Sequence, residues 1–181
     1  MLRPASLLLA LLILGFTSCE LHHDEAYEEP ITSFTYILTP DTGSTVVLQY
    51  LDRDGDGGQE PIVHSGTLLA NTVYEGQLLI NSMGKHIIDT TSIMQAPEMH
   101  QIFYLPMNGL QLQTTYTDQD ANGNPVGFST QLTTGDASRG RLTILIKHEP
   151  DKHALGVADG DVSNAVGSID FEVDFNVVVS D

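Results

Sequence analysis

From Ile31 onward the chain reads as a series of short alternating segments. Thr32-Ser33-Phe34-Thr35-Tyr36-Ile37-Leu38 sets β-branched and aromatic residues at period two, and Pro40-Asp41-Thr42-Gly43 closes it with turn residues. Alternation followed by a breaker predicts a strand with one face buried. Thr45 to Leu51 repeats the pattern, Pro61 to His64 is a shorter strand, and Gly66 to Asn71 reads as a turn-rich connection. Val73 to Asn81 follows as a strand with Leu78, Leu79 and Ile80 expected to be buried. His100 to Leu105 is aromatic and ends at Pro106, and Leu110 to Tyr116 alternates apolar against polar. Gly127 to Leu132, Leu142 to Lys147 and Ile169 to Val179 complete the set.

The segment 82–97 obeys neither period cleanly. Asp89-Thr90-Thr91-Ser92 would cap a short helix, yet its threonines favour a strand, so the pattern leaves both open. Short strands at this spacing, with no long helical stretch, predict an all-β fold: a single antiparallel β-sandwich over residues 31–181, immunoglobulin-like in the broad sense. The chain has no Trp and a single Cys, so the buried Trp and paired cysteines of true immunoglobulin domains are missing. The expectation concerns architecture and not that family.

Residues 1–18 have a different character. Arg3 precedes the apolar run Leu7 to Phe16, which is too short to span a bilayer and reads as a secretory signal peptide. Cys19 follows directly, in Gly15-Phe16-Thr17-Ser18-Cys19, and this resembles the bacterial lipoprotein signal, in which the cysteine becomes the first mature residue and carries acyl chains. Two or more chains anchor stably where one holds marginally, so a protein tethered to the membrane and not crossing it is expected. Residues 19–30 are polar, acidic and end at Pro30, which predicts a flexible tether. His22 and His23 beside Asp24 offer zinc or copper ligands there, at the cost of ordering a mobile chain.

The chain holds 7 Lys+Arg against 24 Asp+Glu; cleavage after Ser18 removes only Arg3 and takes the formal charge from −17 to −18. Such a surface repels phosphate backbones, which argues against nucleic acid as a partner. It also favours bound cations, and the acids are not spread evenly. Asp52-Arg53-Asp54-Gly55-Asp56-Gly57-Gly58 and Asp118-Gln119-Asp120-Ala121-Asn122-Gly123-Asn124 share the pattern D-x-D-x-[DN]-G. Carboxylates two residues apart in a turn converge their oxygens, and a hard divalent cation relieves the repulsion. The twelfth position from Asp52 is Val63 and from Asp118 is Ser129, which excludes the EF-hand and its closing Glu.

The calcium (Ca2+) ligands expected in the first loop are Asp52, Asp54 and Asp56, a carbonyl from Gly58, and Glu60 at the ninth position. In the second they are Asp118, Asp120 and Asn122 with the carbonyl of Asn124. Affinities of about 10⁻⁴ to 10⁻³ M are typical of extracellular modules of this kind. The competing account is that Asp, Asn and Gly are simply what hairpin turns use. A third acidic turn, Asp159-Gly160-Asp161-Val162-Ser163-Asn164, lacks the spacing but offers further oxygens.

A shift of 66 residues lays Tyr50, Asp52, Asp54, Gly57, Thr67, Leu79 and Ile80 on Tyr116, Asp118, Asp120, Gly123, Thr133, Leu145 and Ile146, as a duplicated strand, acidic loop, return and strand would. Separately, His148-Glu149-Pro150-Asp151-Lys152-His153 offers a transition-metal pair, with His64, His86 or His100 arriving from elsewhere. Pro150 denies that pair a helical presentation. No Gly-x-Ser-x-Gly elbow, phosphate-cradling glycine loop or free nucleophilic Cys is present, so a non-enzymatic protein is expected.

Leu38-Thr39-Pro40 to Val47, Leu51 to Gly58, Gly66 to Tyr74, Tyr116 to Pro125, Leu132 to Gly135 and His148-Glu149-Pro150 through Asp161 together resemble a group of small bacterial lipoproteins. These are often labelled "type 1 periplasmic binding fold superfamily protein". The resemblance implies an outer-membrane lipoprotein, on its periplasmic or cell-surface face, partnering an uptake system. The label itself implies a two-lobed α/β fold of about twice this length, whereas the strand pattern predicts the sandwich. Two functions follow: a calcium-stabilised binding or accessory module held by its lipid anchor, or a metal-acquisition lipoprotein for zinc, copper or haem.

Overall fold

The computed structural model describes residues 31–55, 58–82 and 88–181. The signal peptide, Cys19, the tether with His22 and His23, Asp56 and His86 lie outside the described residues. Alternation produces strands at Ile31–Pro40 (β1), Val46–Leu51 (β2), Ile62–His64 (β3), Thr67–Leu69 (β4) and Val73–Ser82 (β5). His100–Met107 (β6), Leu112–Tyr116 (β7), Ser129–Thr134 (β8), Ser138–His148 (β9) and Ser168–Ser180 (β10) follow. One sheet has the order β3-β2-β1-β5-β8-β7 and the other β4-β10-β9-β6. The two pack face to face as an all-β sandwich.

One segment departs from expectation, and another, which the pattern leaves open, takes one of its two alternatives. The connection 66–71 contains β4, which adds to the edge of β10 in parallel, with Thr67 opposite Val178 and Leu69 opposite Ser180. The sandwich is therefore antiparallel except at this one pairing among the described strands. In the open segment 82–97, of which 83–87 lie outside the described residues, a helix forms at Thr90–Gln95 (α1). Asp89 accepts from the Ser92 backbone N–H at 2.7 Å while the Asp89 N–H donates to the Ser92 hydroxyl at 2.9 Å. This reciprocal cap outweighs the threonines' strand preference, and burial of Ile93 anchors the single turn and a half.

The inward residues of both sheets form one core. Phe34, Tyr36 and Leu38 of β1, Leu78 and Ile80 of β5, Ile144 and Ile146 of β9, and Val173 and Phe175 of β10 all belong to it. Phe34 lies 5.3 Å from Phe171 and 6.5 Å from Phe175 between ring centroids, bridging the sheets. Each such side chain contributes roughly 1.5–3 kcal/mol by leaving water. Leu79, expected inside, lies on the outer face and is 47 % exposed, as strict alternation with Leu78 and Ile80 requires. A second, smaller cluster of Phe103, Leu145, Val157 and Ala165 forms where the segment after β9 folds over the outer face of its sheet. Gly76 in β5 leaves room for Tyr36 and Thr130 to reach across the strand and share a hydrogen bond of 2.7 Å.

Both acidic loops join antiparallel neighbours, β2 to β3 and β7 to β8. The local part of the internal echo is thus two hairpins in one sheet. Beyond them it fails as a structural repeat: Thr67 and Thr133 lie in different sheets, as do Leu79 and Leu145.

Candidate cation sites

In the first loop, Asp52 directly follows β2 as a buried carboxylate whose Oδ1 accepts from Gly55 N–H at 2.9 Å and Asp54 N–H at 3.3 Å. The Tyr50 hydroxyl lies 3.5 Å from Oδ2. Asp54 is exposed and accepts from Gln59 N–H at 3.1 Å. A side chain at Gly58 would run into that carboxylate, its Cβ falling 2.6 Å from Asp54 Oδ2, so glycine is what lets Asp54 fold back over the loop. Asp52, Gly58 and Glu60 border one cavity of about 200 Å³, with Tyr50 and Gly55. Asp54 opens instead on an adjoining hollow of about 220 Å³ shared with Arg53 and Glu60. Among the described residues no Lys, Arg or His forms an ion pair with Asp52, Asp54 or Glu60.

The second loop uses its acids differently. Asp118 Oδ1 accepts from Gly127 N–H at 2.8 Å, and Oδ2 accepts from Phe128 and Ser129 N–H at 2.7 and 3.0 Å. The carboxylate fastens the far end of the loop to the start of β8. Asp120 is buried, and its Oδ1 accepts from Asn122 and Asn124 N–H at 2.9 and 3.0 Å. Its Oδ2 meets the ammonium of Lys152 at 3.0 Å. Lys152, itself buried, also donates to the carbonyls of Pro97 at 2.7 Å and Pro125 at 2.9 Å. An ammonium ringed by three oxygens thus rests on Asp120, one of the carboxylates expected to ligate calcium. Burial alone would raise the Asp120 pKa; the Lys152 hydrogen bond, its charge and the two backbone donors outweigh that and hold it below the usual 3.8.

Asn122 and Asn124 contribute backbone N–H groups to Asp120 in this turn. In the third acidic turn, Asp161 caps the 3-10 turn Val162–Asn164 by accepting from Ser163 N–H at 2.9 Å. Of the described histidines, His153 and His64 are exposed, whereas His148 meets His100 with 3.1 Å between Nδ1 and Nε2. Asp170, which no motif singles out, joins them at 3.5 Å from His148 and 3.7 Å from His100. Sequence reasoning reached Lys152 only as a member of an acidic run. Its scarcity, one of 7 basic residues beside 24 acids, is the available signal. Among the described residues no helix is long and apolar enough to cross a membrane.

No protein-family profile, curated protein or solved structure matches this chain.

Proposed function

We propose that this chain is a non-enzymatic binding or accessory module of the bacterial outer membrane, tethered through acylated Cys19 and stabilised by one calcium ion in its first acidic loop. The carrying observation is the contrast between the two loops. The second supplies its own cation in Lys152, whereas Asp52, Asp54 and Glu60 surround adjoining hollows without an ion-pair partner among the described residues. Uncompensated carboxylates at this spacing, with Gly58 shaping the turn, suit a hard cation that keeps part of its water. Calcium here would hold the β2 to β3 hairpin, and the tether would let the sandwich meet an uptake partner in the same membrane.

Melting the protein with a chelator and then with about 10 mM CaCl2 tests this reading. With a dissociation constant of about 10⁻⁴ to 10⁻³ M, linkage gives about 1.4–2.7 kcal/mol of stabilisation. That corresponds to a rise in Tm of about 3–10 °C for a domain of this size. With ionic strength held constant by NaCl in every sample, Asp54→Asn, at an exposed position, should abolish the rise. Equal melting temperatures with chelator and calcium overturn the reading.

A further inference from the structure

His100 opens β6 and His148 closes β9, and the two stand opposite each other in the ladder. Both share the inward parity of Ile102 and Ile146, which are core residues, so alternation carries two imidazoles to the end of the hydrophobic interior. Asp170 reaches them through an irregularity in β10. Ile169 pairs with Lys147 and Phe171 with Ile146, which leaves Asp170 as the extra residue of a bulge. Bulges re-aim a side chain, and this one turns a carboxylate that would otherwise continue the polar outer row. The side chains of His100 and Asp170 are 11 % and 2 % exposed, that of His148 39 %. Glu149, left-handed at φ 50, turns the chain directly after His148, and its N–H bonds Met99 O at 2.7 Å, which locks the end of β9 to the start of β6.

The protons can be placed from the partners. His100 Nδ1 lies 3.1 Å from the Ala96 carbonyl, which only accepts, so Nδ1 carries the hydrogen and Nε2 of the neutral ring is a lone pair aimed at the other two groups. A backbone carbonyl behind an imidazole is the usual way a metal-binding histidine is oriented. His100 Nε2, His148 Nδ1 and Asp170 Oδ2 stand 3.1, 3.5 and 3.7 Å apart. Metal–ligand distances of about 2.0–2.1 Å in a tetrahedron place ligand atoms about 3.3 Å apart, whereas adjacent corners of a square plane fall about 2.9 Å apart. The observed triangle, with two of its edges at 3.5 and 3.7 Å, lies nearer the tetrahedron.

We infer that His100, His148 and Asp170 are three ligands of a zinc ion whose fourth position opens to solvent on the His148 side. The site is separate from the first acidic loop and does not depend on calcium there. Three protein ligands with an open fourth position leave zinc able to exchange ligands, in contrast to closed structural sites. That suits an ion held as cargo and passed on.

The test is calorimetric titration of ZnCl2 into the chelator-stripped, detergent-solubilised full-length product. One equivalent should bind. His148→Ala, at the most exposed of the three positions, should weaken binding by about 100-fold, and Asp170→Asn by about 10-fold or more. His153→Ala, Asp54→Asn and the double variant His22→Ala with His23→Ala should bind as the parent does. Co2+ gives a second readout, since intense visible d–d bands mark tetrahedral coordination and should disappear in His148→Ala, with circular dichroism verifying that the variant is folded. Failure of the folded parent to take up stoichiometric zinc overturns the inference. So does parent-like binding in His148→Ala and Asp170→Asn, loss of binding in the tether variant, or a weak octahedral cobalt spectrum.

Discussion

Lys152 is the single side chain on which most depends, because its ammonium holds three separate segments at once: Pro97 before β6, Pro125 at the end of the second acidic loop, and Asp120 within it. Removing one member of a buried ion pair strands the other charge, which costs about 3–5 kcal/mol, several times the effect of losing a surface pair. Lys152→Met should therefore lower stability by about that amount in urea denaturation at neutral pH. The pH dependence follows from the depressed pKa of Asp120. A carboxylate whose folded pKa lies below its unfolded value contributes stability above the unfolded value, and this is lost as pH falls through the folded one. The parent should lose this increment in acid, and the gap between parent and Lys152→Met should narrow there as Asp120 protonates in both. A gap of constant size across the acid limb would mean that Lys152 acts by packing its carbon stem alone.

At the scale of the element, the two hairpins show how one sequence pattern yields two structures. Asp52 and Asp120 each close a turn on backbone N–H groups two to four residues ahead, whereas Asp118 reaches nine to eleven residues on, to Gly127, Phe128 and Ser129. Asp118→Ala leaves those donors unmatched, and charge-assisted hydrogen bonds of this kind suggest a loss of about 2–4 kcal/mol. Asp118→Asn, which retains one acceptor, should recover part of it. Urea midpoints measure the loss, and faster amide exchange confined to residues 127–129 locates it. Spacing alone revealed the turns, since D-x-D-x-[DN]-G is turn chemistry in either case. It did not reveal that the second turn closes on a lysine, because Lys152 arrives from 32 residues beyond Asp120. Asp170 was hidden for a related reason. In Ile169-Asp170-Phe171-Glu172-Val173-Asp174 it looks like one more outward acid, and only the register slip sets it apart from Glu172 and Asp174. His100 and His148 were visible as candidates, but their meeting is a property of the β6 to β9 ladder.

At the scale of the whole molecule, alternation was enough to reveal most of the sandwich, because strands such as β5 and β10 keep one wet face and period two is unambiguous there; β6 and β9, covered on both faces, read instead as apolar runs, and short β4, with three residues, was lost among turn residues. Charge is the other global property, and it acts on stability through the sum of its parts. Against 24 acids, Lys152 is consumed internally and Arg141 is paired with Asp174 at 3.2 Å, so folding gathers an excess of like charge onto one small surface. Self-repulsion of this sort weakens the compact state and is screened once the Debye length falls to about 10 Å near 0.1 M salt. In chelator, raising NaCl from about 10 to 150 mM should lift Tm by about 2–4 °C and then level off, equivalent to about 1 kcal/mol. Asp54→Asn should respond to NaCl as the parent does while ignoring calcium, because one effect belongs to the summed field and the other to a single loop. A Tm that falls with added NaCl would reverse the assignment, showing that the few ion pairs contribute more attraction than the acids contribute repulsion.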